Sequence, residues 1–402
     1  MEMLSRIDPL EKKMLISLLL TMLISYNMKN RSAIHSFVSS LIVLQIAFDH
    51  KHVLYLLASL TLNMILLKYA SASRYLFTVI NIAILYIYKV FGIHFEQRIS
   101  GAFDISGVLM LMTIKMSYLG KEYKKDKNSI RDALSYVLFI PGLLMGPVPT
   151  FESFMKNKYE RPKKLFHGAF LKSILFLVFF QIIRINIPKE YITQNLLPLP
   201  IRLICLYLFT VGNRLKFYFV WYFSHGCFMF QNFSSLLNID FFKVELATDV
   251  KELSNYWNIY AGVWLKDCFF NPIRAKSTFW ASIATTTVSA LWHGINPCYL
   301  IMFLSITTSN VVVKNNNILI RKFCPSMLWI LSRVQMFVIT SYFTPSFFLL
   351  NLSELISTWK GVYYIGHVFL ASSLILQAIL KSTINQELQK CKRATKSSTA
   401  CN

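Results

Sequence analysis

Long apolar runs, separated by short polar loops, recur along the whole chain. They lie near residues 14–28, 33–49, 53–70, 75–94, 102–119, 133–149, 165–186, 200–223, 278–295, 298–313, 327–350 and 362–380. Each run approaches the roughly 20 residues that cross about 30 Å of hydrocarbon as a helix. No small-residue cleavage site follows the first run, so we expect it to stay in the protein as a membrane helix. The pattern predicts an all-α, polytopic integral membrane protein with about ten to twelve hydrophobic segments.

One of these runs, 133–149, differs from the others because it is rich in helix-breaking residues. They are Pro141, Gly142, Gly146, Pro147 and Pro149. Basic loops flank the run at 121–127 and 156–164, and the positive-inside rule places both loops in the cytoplasm. A single crossing cannot join two loops on the same side of the membrane. The run is therefore predicted to be re-entrant and to line a buried cavity, with a kinked spanning helix as the alternative.

The composition narrows the class of protein further. Hydrophobic residues make up 55% of the 402 residues and charged residues only 15%, against about 25% charged in soluble domains. The mean hydropathy is +0.47. These values argue against a soluble enzyme, and the 33 Phe and 20 Tyr argue against a disordered chain.

The formal net charge of +23 comes from short basic clusters between the apolar runs and from a basic tail at 381–402. Clusters of this kind meet anionic lipid headgroups, whereas a nucleic-acid-binding protein concentrates its basic residues on one module. Contact with the bilayer and none with nucleic acid is therefore expected, and the tail is predicted to be cytoplasmic. The seven cysteines show no spacing typical of a metal site or a disulfide framework, so no metal is expected.

The region 240–277 is too polar to cross a bilayer, yet it contains Trp257, Trp264 and further aromatic residues. This mixture predicts amphipathic helices at the membrane interface. Asn258 is predicted to share one helical face with small or apolar residues at the spacing i, i+3, i+4 and i+7. That face consists of Asn258, Ala261, Gly262 and Leu265. Close packing of a neighbouring group against Asn258 is therefore expected.

The next apolar run carries a single polar stripe that ends at a histidine. Its members, Ser282, Thr286, Ser289 and His293, are spaced i, i+4, i+7 and i+11, and Pro297 limits the helix. An ionisable side chain in a membrane segment is a functional-site hypothesis by default, because burying it without a partner costs several kcal/mol. A neutral imidazole suits such a site, since it keeps a nitrogen that accepts a proton. The alternative is a structural histidine bonded to a backbone carbonyl, and His225 is a weaker second candidate for chemistry.

Two segments carry a resemblance to a known family. SALWHGINPCY, with Trp292, His293 and Gly294, resembles the histidine motif of the membrane-bound O-acyltransferases, the MBOAT family. WNIYAGVWLK, from Trp257 to Lys266, resembles the asparagine motif of that family and places Asn258 before the histidine motif.

Three further segments resemble signatures of the lysophospholipid acyltransferase branch of this family. They are DISGVLMLMTIK with Asp104 and Lys115, SYVLFIPGLLMGPVPTFESF with Gly146 and Pro147, and RLKFYFVWYF with Arg214, Lys216, Tyr218 and Trp221. The chain departs from the branch pattern at three positions: Cys298 stands where Gly is usual, Ser106 where Thr is usual, and His225 where an acidic residue is often found. These departures bear on headgroup preference more than on chemistry.

The resemblance implies one membrane-embedded domain over 1–402, with less specific transmembrane helices over 1–100 and a motif-bearing catalytic core over 100–305. It implies transfer of a fatty acyl group from acyl-CoA, as a co-substrate, to the free hydroxyl of a lysophospholipid. No cofactor is implied, and the location implied is the endoplasmic reticulum. The sequence specifies neither the headgroup nor the oligomeric state.

The resemblance also implies roles for individual residues. His293 would act as general base, because an alcohol is a weak nucleophile, and Asn258 would hold the hydroxyl or stabilise an oxyanion. Direct transfer needs no acyl-enzyme, so Cys268 and Cys298 are expected to be packing residues. The implied substrate-binding positions are Asp104, Lys115, Gly146, Pro147, Arg214, Lys216, Tyr218, Trp221, Trp257, Trp264, Lys266, Ser289, Trp292 and Tyr299.

Three alternatives stay open. The first is an MBOAT enzyme that acylates a protein, a sterol or diacylglycerol, although the basic-aromatic and Asp…Lys segments argue against it. The second is a lipid transporter or scramblase whose histidine and polar stripe serve a permeation path, for which inverted repeats are expected and none is found in the sequence. The third is an inactive scaffold, which the intact histidine motif disfavours.

Overall fold

The computed structural model describes residues 9–28, 32–69, 73–91, 105–157, 168–194, 196–233 and 236–399, and the surroundings of their side chains except at 9, 10, 91 and 391–399. Every regular element within these ranges is helical. The predicted site residue Asp104 lies outside the described residues, as does most of the basic loop at 156–164.

The helices up to residue 229 are α1 (Pro9–Asn27), α2 (Ala33–Ala47), α3 (His50–Tyr69), α4 (Arg74–Phe91), α5 (Ser106–Glu122), α6 (Ile130–Val137), α7 (Phe151–Asn157), α8 (Gly168–Asn186), α9 (Glu190–Thr193) and α10 (Leu199–Met229). Those that follow are α11 (Phe241–Glu245), α12 (Val250–Tyr256), α13 (Ile259–Leu265), α14 (Asn271–Arg274), α15 (Thr278–His293), α16 (Pro297–Phe323), α17 (Leu328–Phe343), α18 (Pro345–Leu349), α19 (Leu352–Gly361), α20 (Ile365–Ile379) and α21 (Lys381–Thr399).

Several helices are long and apolar enough to cross a membrane. Within the described ranges they are α3, α8, α10 and α16, and the pair α19 and α20, bent by 71°, adds a further span if taken as one. On α8 the side chains of Leu175, Phe179 and Ile182 are each about half exposed. Such a continuous apolar surface suits contact with lipid rather than water. The all-helical membrane architecture predicted from the sequence is confirmed.

Two predicted segments have different bounds in the structure. The segment predicted at 298–313 continues as α16 to Phe323, past a polar run that ends the hydropathy signal. The segment predicted at 327–350 is divided, because Pro345 lacks a backbone N–H and opens a new short helix, α18. Hydropathy therefore located these segments but did not give their ends.

The polar run in α16 is buried against two other helices through an amide network, which we define as Asn315, Asn316, Asn317, Gln335, Gln377, Ser332 and Ser373. Asn316 Nδ2 donates to Gln335 Oε1 of α17 at 2.7 Å and to Ser373 Oγ of α20 at 3.1 Å. Gln377 Nε2 donates to Asn316 Oδ1 at 2.7 Å. These bonds supply partners to polar groups inside the bundle and allow α16 to continue.

The Pro- and Gly-rich run at 133–149 does not form one helix. α6 ends at Val137, a 3-10 turn follows at 140–142, and the chain is irregular to Thr150. Glu152 N of α7, just after the run, donates to Glu122 Oε2 at the end of α5 at 2.9 Å. The Tyr136 hydroxyl closes the loop by donating to the Pro149 carbonyl at 2.6 Å. The segment thus folds back on itself, and its re-entrance into the membrane stays a prediction.

α8 and α10 pack as an antiparallel pair, because Gly226 lies against Phe170 and Gly212 against Ile183. Around this pair the buried apolar residues form two clusters, one mainly from the first half of the chain and one mainly from the second. Trp292 belongs to the first cluster and Cys298 to the second. The end of α15 therefore lies where the two clusters meet.

The polar block after α10 forms the short helices α11 to α14, with a π-helical turn at Lys266–Phe270. Short helices were predicted here, but the placement of Asn258 within one of them was wrong. α13 begins at Ile259, and Asn258 precedes it with φ of 47° and ψ of 53°, a left-handed conformation that asparagine tolerates better than most residues. Asn258 therefore shares no helical face with Ala261.

Candidate active site

A cavity of about 750 Å³ lies among α1, α5, α8 and α10. The re-entrant segment forms part of its wall from Leu144 to Val148. His293, at the end of α15, and Asn258, just before α13, both line it. The volume lies within the range of ligand pockets, about 300 to 1,000 Å³. The two residues to which catalytic roles were assigned therefore face one common space.

The His293 imidazole is held by aromatic rings. Its centroid lies 4.8 Å from that of Phe347, 5.4 Å from that of Phe303 and 5.7 Å from that of Tyr299. Within the described part of the chain neither ring nitrogen has a hydrogen-bond partner. The alternative of a structural histidine bonded through its ring to a carbonyl is therefore not what the structure shows. A ring nitrogen remains available to a molecule in the cavity.

α15 begins and ends at residues suited to those positions. The Ser277 hydroxyl accepts a hydrogen bond from Trp280 N at 3.3 Å as an N-cap, and the helix ends at Gly294, whose φ is 143°. The polar stripe does not lead to the cavity, contrary to the role considered for it. Ser282 donates to its own helix, and Thr286 bonds the Thr307 hydroxyl of α16 at 2.7 Å. The stripe therefore joins two helices.

Asn258 is fixed by a second asparagine. Asn238 Nδ2 donates to Asn258 Oδ1 at 3.0 Å, while Asn238 Oδ1 accepts from Tyr260 N at 3.0 Å. Asn238 also anchors the start of α13, because its carbonyl accepts from Ile259 N at 2.9 Å. With the oxygen of Asn258 engaged, its amide nitrogen is the group left to donate within the cavity.

The predicted site residues fall into an inner and an outer layer. Those that line the cavity are Gly146, Pro147, Lys216, Trp221, Asn258, Trp292 and His293. Trp257 lies behind Trp221, with ring centroids 5.1 Å apart, and Trp264 lies behind Trp292 at 5.6 Å. Tyr299 packs on the His293 ring. These outer aromatic residues support the wall rather than form it.

Arg214 and Tyr218, proposed as phosphate contacts, bind a carboxylate of the protein instead. Arg214 donates to both oxygens of Glu245, at 2.8 Å from Nε and 2.7 Å from Nη2, and the Tyr218 hydroxyl also donates to Glu245. Burial alone would raise the pKa of the Glu245 carboxyl, but the Arg214 guanidinium lowers it below the usual range. This buried ion pair fixes α11 to α10.

The other predicted residues also lie away from the cavity lining. Lys115 is buried and donates from Nζ to the Val137 carbonyl at 2.7 Å, where it satisfies the C-terminal end of α6. Lys266 is exposed at the start of the π-helical turn, and Ser289 is buried in α15. His225 contacts the Leu236 carbonyl. Their roles in substrate binding stay predictions without support from position.

Cationic side chains border another part of the same cavity. Lys216, which is exposed to the cavity it lines, is joined there by Arg184 and Lys189. Arg184 donates to Glu11 of α1, and Lys189 Nζ donates to Glu354 at 2.7 Å. The side chains of Arg184 and Lys189 are about half exposed, so the cavity reaches the protein surface here. The region suits an anionic group that enters from outside.

Several residues of the site were missed in the sequence. Asn238 gave no motif signal, and Phe303 and Phe347 are ordinary apolar positions. Lys89 is different: its Nζ donates to the His293 backbone carbonyl, and a lysine inside an apolar run is the kind of residue that the rule for intramembrane charges singles out. That rule singled out His293 in the sequence but was not extended to Lys89.

The combination of groups around the cavity suits acid–base chemistry on a lipid. An imidazole at this position is able to accept a proton, and an amide is able to donate to a developing negative charge. Apolar side chains such as Met14, Leu18 and Phe180 line the space beside the cations. A molecule with a long apolar chain and an anionic head fits this division.

The chain is similar in sequence to known proteins. A model of the membrane-bound O-acyltransferase family matches residues 14–309. The chain is 28% identical to the lysophospholipid acyltransferase of Schizosaccharomyces pombe, over 66% of this chain and 62% of that protein. It is 23% identical to membrane-bound glycerophospholipid O-acyltransferase 2 of Homo sapiens, over 69% and 65%. It is also 23% identical to lysophospholipid acyltransferase 1 of Arabidopsis thaliana, over 70% and 73%. The first two matches thus span less than two thirds of each relative's length.

Proposed function

Because this chain belongs to the membrane-bound O-acyltransferase family, we propose that it transfers a fatty acyl group from acyl-CoA to the free hydroxyl of a lysophospholipid. The names of its relatives support an O-acyltransferase with this class of acceptor. One structural observation carries the proposal: His293 and Asn258 face a single cavity that is also bordered by Lys216, Arg184 and Lys189.

In the proposed reaction a His293 nitrogen takes the proton of the lysophospholipid hydroxyl while the hydroxyl oxygen attacks the thioester carbonyl carbon. The carbonyl oxygen becomes an oxyanion, to which the Asn258 amide donates. When the tetrahedral intermediate collapses, the C–S bond breaks and the proton passes from His293 to the CoA sulfur. The products are a phospholipid and CoA, and His293 is neutral again. Base catalysis of this kind contributes about 10²- to 10⁴-fold.

The positions of the cysteines support direct transfer without an acyl-enzyme. Cys268 is buried in one apolar cluster and Cys298 in the other, and neither lines the cavity. The Cys268 thiol lies 3.4 Å from the Ser117 hydroxyl, away from His293. No thiol in the described cavity lining is therefore in a position to accept the acyl group.

Both substrates of the proposed reaction carry phosphate, which Lys and Arg recognise by charge-assisted hydrogen bonds. Lys216 is the predicted phosphate contact that the structure supports by position, because it is exposed to the cavity. Arg184 and Lys189 extend the cationic border to the surface. We further propose location in the endoplasmic reticulum, which rests on the family resemblance and is tested by imaging of the tagged protein against organelle markers.

The test is acyl transfer from labelled oleoyl-CoA and arachidonoyl-CoA to a panel of lysophospholipids. Membranes would contain wild type, His293→Ala or His225→Ala at matched protein levels. His225 is the matched control, because it is also a partly buried histidine but does not line the cavity. We expect the wild type and His225→Ala to acylate the same acceptors and His293→Ala to lose at least about 10²-fold of that activity.

Three outcomes would contradict the proposal. Equal activity of the wild type and His293→Ala would exclude His293 as the base. Transfer to none of the lysophospholipids, with transfer to a protein, a sterol or diacylglycerol, would keep the family chemistry and replace the acceptor. Lipid movement without acyl-CoA consumption would point to the transporter alternative.

A further inference from the structure

The helix that carries His293 ends in backbone groups that need partners. The last four carbonyls of any α-helix lack partners within the helix. At the end of α15, Gly294 N donates to the Ala290 carbonyl at 3.2 Å. Two of the other carbonyls receive side chains from α4: the Tyr86 hydroxyl donates to the Leu291 carbonyl at 3.0 Å, and Lys89 Nζ donates to the His293 carbonyl.

Tyr86 and Lys89 are placed to act together. They are three residues apart on α4 and therefore lie on one helical face. An ammonium group at a helix C-terminus is favoured, because the carbonyls there carry the negative end of the helix dipole. The bond from Lys89 is also charge-assisted, which makes it stronger than a neutral hydrogen bond. The pair thus forms a C-terminal clamp on α15.

Gly294 makes room for this clamp. With φ of 143° it has a conformation that favours glycine, and a Cβ there would lie 3.2 Å from Lys89 Nζ and 3.4 Å from a ring carbon of Tyr299. A side chain at this position would press on the ammonium group. The glycine after the histidine therefore serves the approach of Lys89 as well as the turn.

The clamp matters because the imidazole has no polar anchor of its own. Its ring nitrogens have no hydrogen-bond partner within the described chain, and its ring contacts are to aromatic faces and edges. Trp292 next to it is fixed by donation from Nε1 to the Met110 carbonyl at 3.1 Å. The position of the ring relative to a substrate is therefore set by the backbone at the end of α15.

We propose that Lys89, with Tyr86, is a positioning residue that fixes the C-terminal end of α15 and so places His293 for proton transfer. The kinetic part of this proposal rests on the proposed acyltransferase function. Lys89 does not line the cavity, so it acts through His293 and not on the substrate. A displacement of about 1 Å in a catalytic group costs on the order of 10²-fold in rate. Fixing the end of α15 is therefore expected to have a large effect on the rate.

The first experiment compares Lys89→Met, Lys89→Arg and Tyr86→Phe with the wild type in the acyl-transfer assay. Lys68→Met is the control, since Lys68 is an exposed lysine near the end of α3 that contacts the Tyr69 ring and not α15. We expect Lys89→Met to lower kcat by about 10- to 100-fold with the KM for both substrates within about twofold. Lys89→Arg, which keeps a cationic donor, should recover most of kcat, and Tyr86→Phe should lose less than Lys89→Met.

An unchanged kcat in Lys89→Met would overturn the proposal, as would a loss carried mainly by KM or an equal loss in Lys89→Arg. If Lys89→Met does not accumulate as folded protein, Tyr86→Phe carries the test, because it removes one bond of the clamp and keeps the lysine. No loss of kcat in that variant would then count against the clamp.

A second experiment needs no acyl transfer. The rate at which diethylpyrocarbonate modifies His293, followed by mass spectrometry of its peptide, reports how firmly the ring is held. We expect faster modification in Lys89→Met and Tyr86→Phe than in the wild type and Lys68→Met. Equal rates would overturn the clamp. A changed rate in a protein that acylates no acceptor would keep the clamp and reject the proposed function.

Discussion

Polar side chains lie inside this bundle of apolar helices in two regions, and the two regions differ in where their hydrogen bonds go. In the amide network of α16, α17 and α20 the side chains bond one another, as Asn316 does with Gln335 and Gln377. At the cavity, the ring nitrogens of His293 and the amide nitrogen of Asn258 make no such bond within the described chain. A polar group that faces the cavity and has no partner in the protein is available to a partner from outside.

The charged motif residues also differ in whether they bond within the protein or face the cavity. Lys115 and Arg214 are more deeply buried than His293, and each has a partner: the Val137 carbonyl for Lys115 and Glu245 for Arg214. Lys216 is on the same helix as Arg214 and is exposed to the cavity. Burial of a charge alone therefore does not identify a substrate contact among these three motif residues, whereas exposure to the cavity distinguishes Lys216 from the other two.

The largest expected effect on activity tests the cavity side of this comparison. His293→Leu should lower acyl transfer by at least about 10²-fold, equivalent to about 2.7 kcal/mol of transition-state stabilisation. The thermal midpoint of the purified protein in detergent should not fall, because the ring nitrogens have no internal hydrogen bond to lose. A variant that lost activity and unfolded at a much lower temperature would show that His293 holds the fold together, and the comparison would fail.

The largest expected effect on stability tests a charge that has a partner within the protein. Glu245→Gln should lower the free energy of unfolding by about 3 to 5 kcal/mol near neutral pH, because it leaves Arg214 buried without its counter-ion. Unfolding by sodium dodecyl sulfate in mixed micelles measures this difference. Asp240→Asn, at the N-cap of the same helix, is a control whose cost should be well below about 1 kcal/mol, because asparagine caps a helix about as well as aspartate.

The pH dependence of this loss has a defined sign. In the folded protein the pKa of Glu245 lies below its usual value of about 4.3. The ion pair therefore contributes fully above that value and is lost as the pH falls through the folded pKa. The stability difference between the wild type and Glu245→Gln should narrow below about pH 4. A difference that stayed constant down to acid pH would show that the carboxylate charge is not what stabilises the contact.

Within the described ranges four helices and one bent pair are long and apolar enough to cross a membrane, so the ten to twelve predicted segments are not confirmed as crossings. Sequence patterns did predict the all-helical membrane architecture, because a spanning helix has a continuous local signal. They failed at the end of α16, where Asn315, Asn316 and Asn317 interrupt the apolar run. The partners of these residues, such as Gln335 and Gln377, lie on other helices and leave no mark beside them in the sequence. A buried polar run and a loop are therefore alike in hydropathy, and only tertiary packing separates them.

The site was predictable only where its residues stand in local sequence motifs. His293 and Asn258 stand in local motifs, and the structure brings both to the cavity. Arg214 and Tyr218 also stand in a motif, but their use depends on Glu245, about 30 residues further on and in no motif. Asn238 and Lys89 act through backbone groups distant in the chain, so their identity in the sequence does not reveal the contact.

A smaller effect is expected at the support for Asn258. Asn238→Ala removes the donor to Asn258 Oδ1 and lets that amide turn, so the oxyanion contact is made less often. A net hydrogen bond of about 1 kcal/mol corresponds to about fivefold in kcat. Steady-state kinetics should show this loss without a change in KM. Asn186→Ala is the control, since its amide bonds only its own exposed helix, and equal kinetics in the two variants would remove Asn238 from the site.

The smallest effect on activity is expected in the amide network, where the two regions of the comparison differ most. Asn316→Ala removes bonds to Gln335, Ser373 and Gln377 at once. Side-chain hydrogen bonds between membrane helices are worth about 0.6 kcal/mol on average and at most about 1.7, because groups released on unfolding in a membrane find other partners. We expect stability to fall by about 1 to 2 kcal/mol and kcat to stay at the wild-type value. Thr308→Ala, on an exposed face of the same helix, should change neither. If Asn316→Ala lowered kcat as much as Asn238→Ala does, the network would belong to the active site, and internal hydrogen bonding would no longer distinguish the two regions.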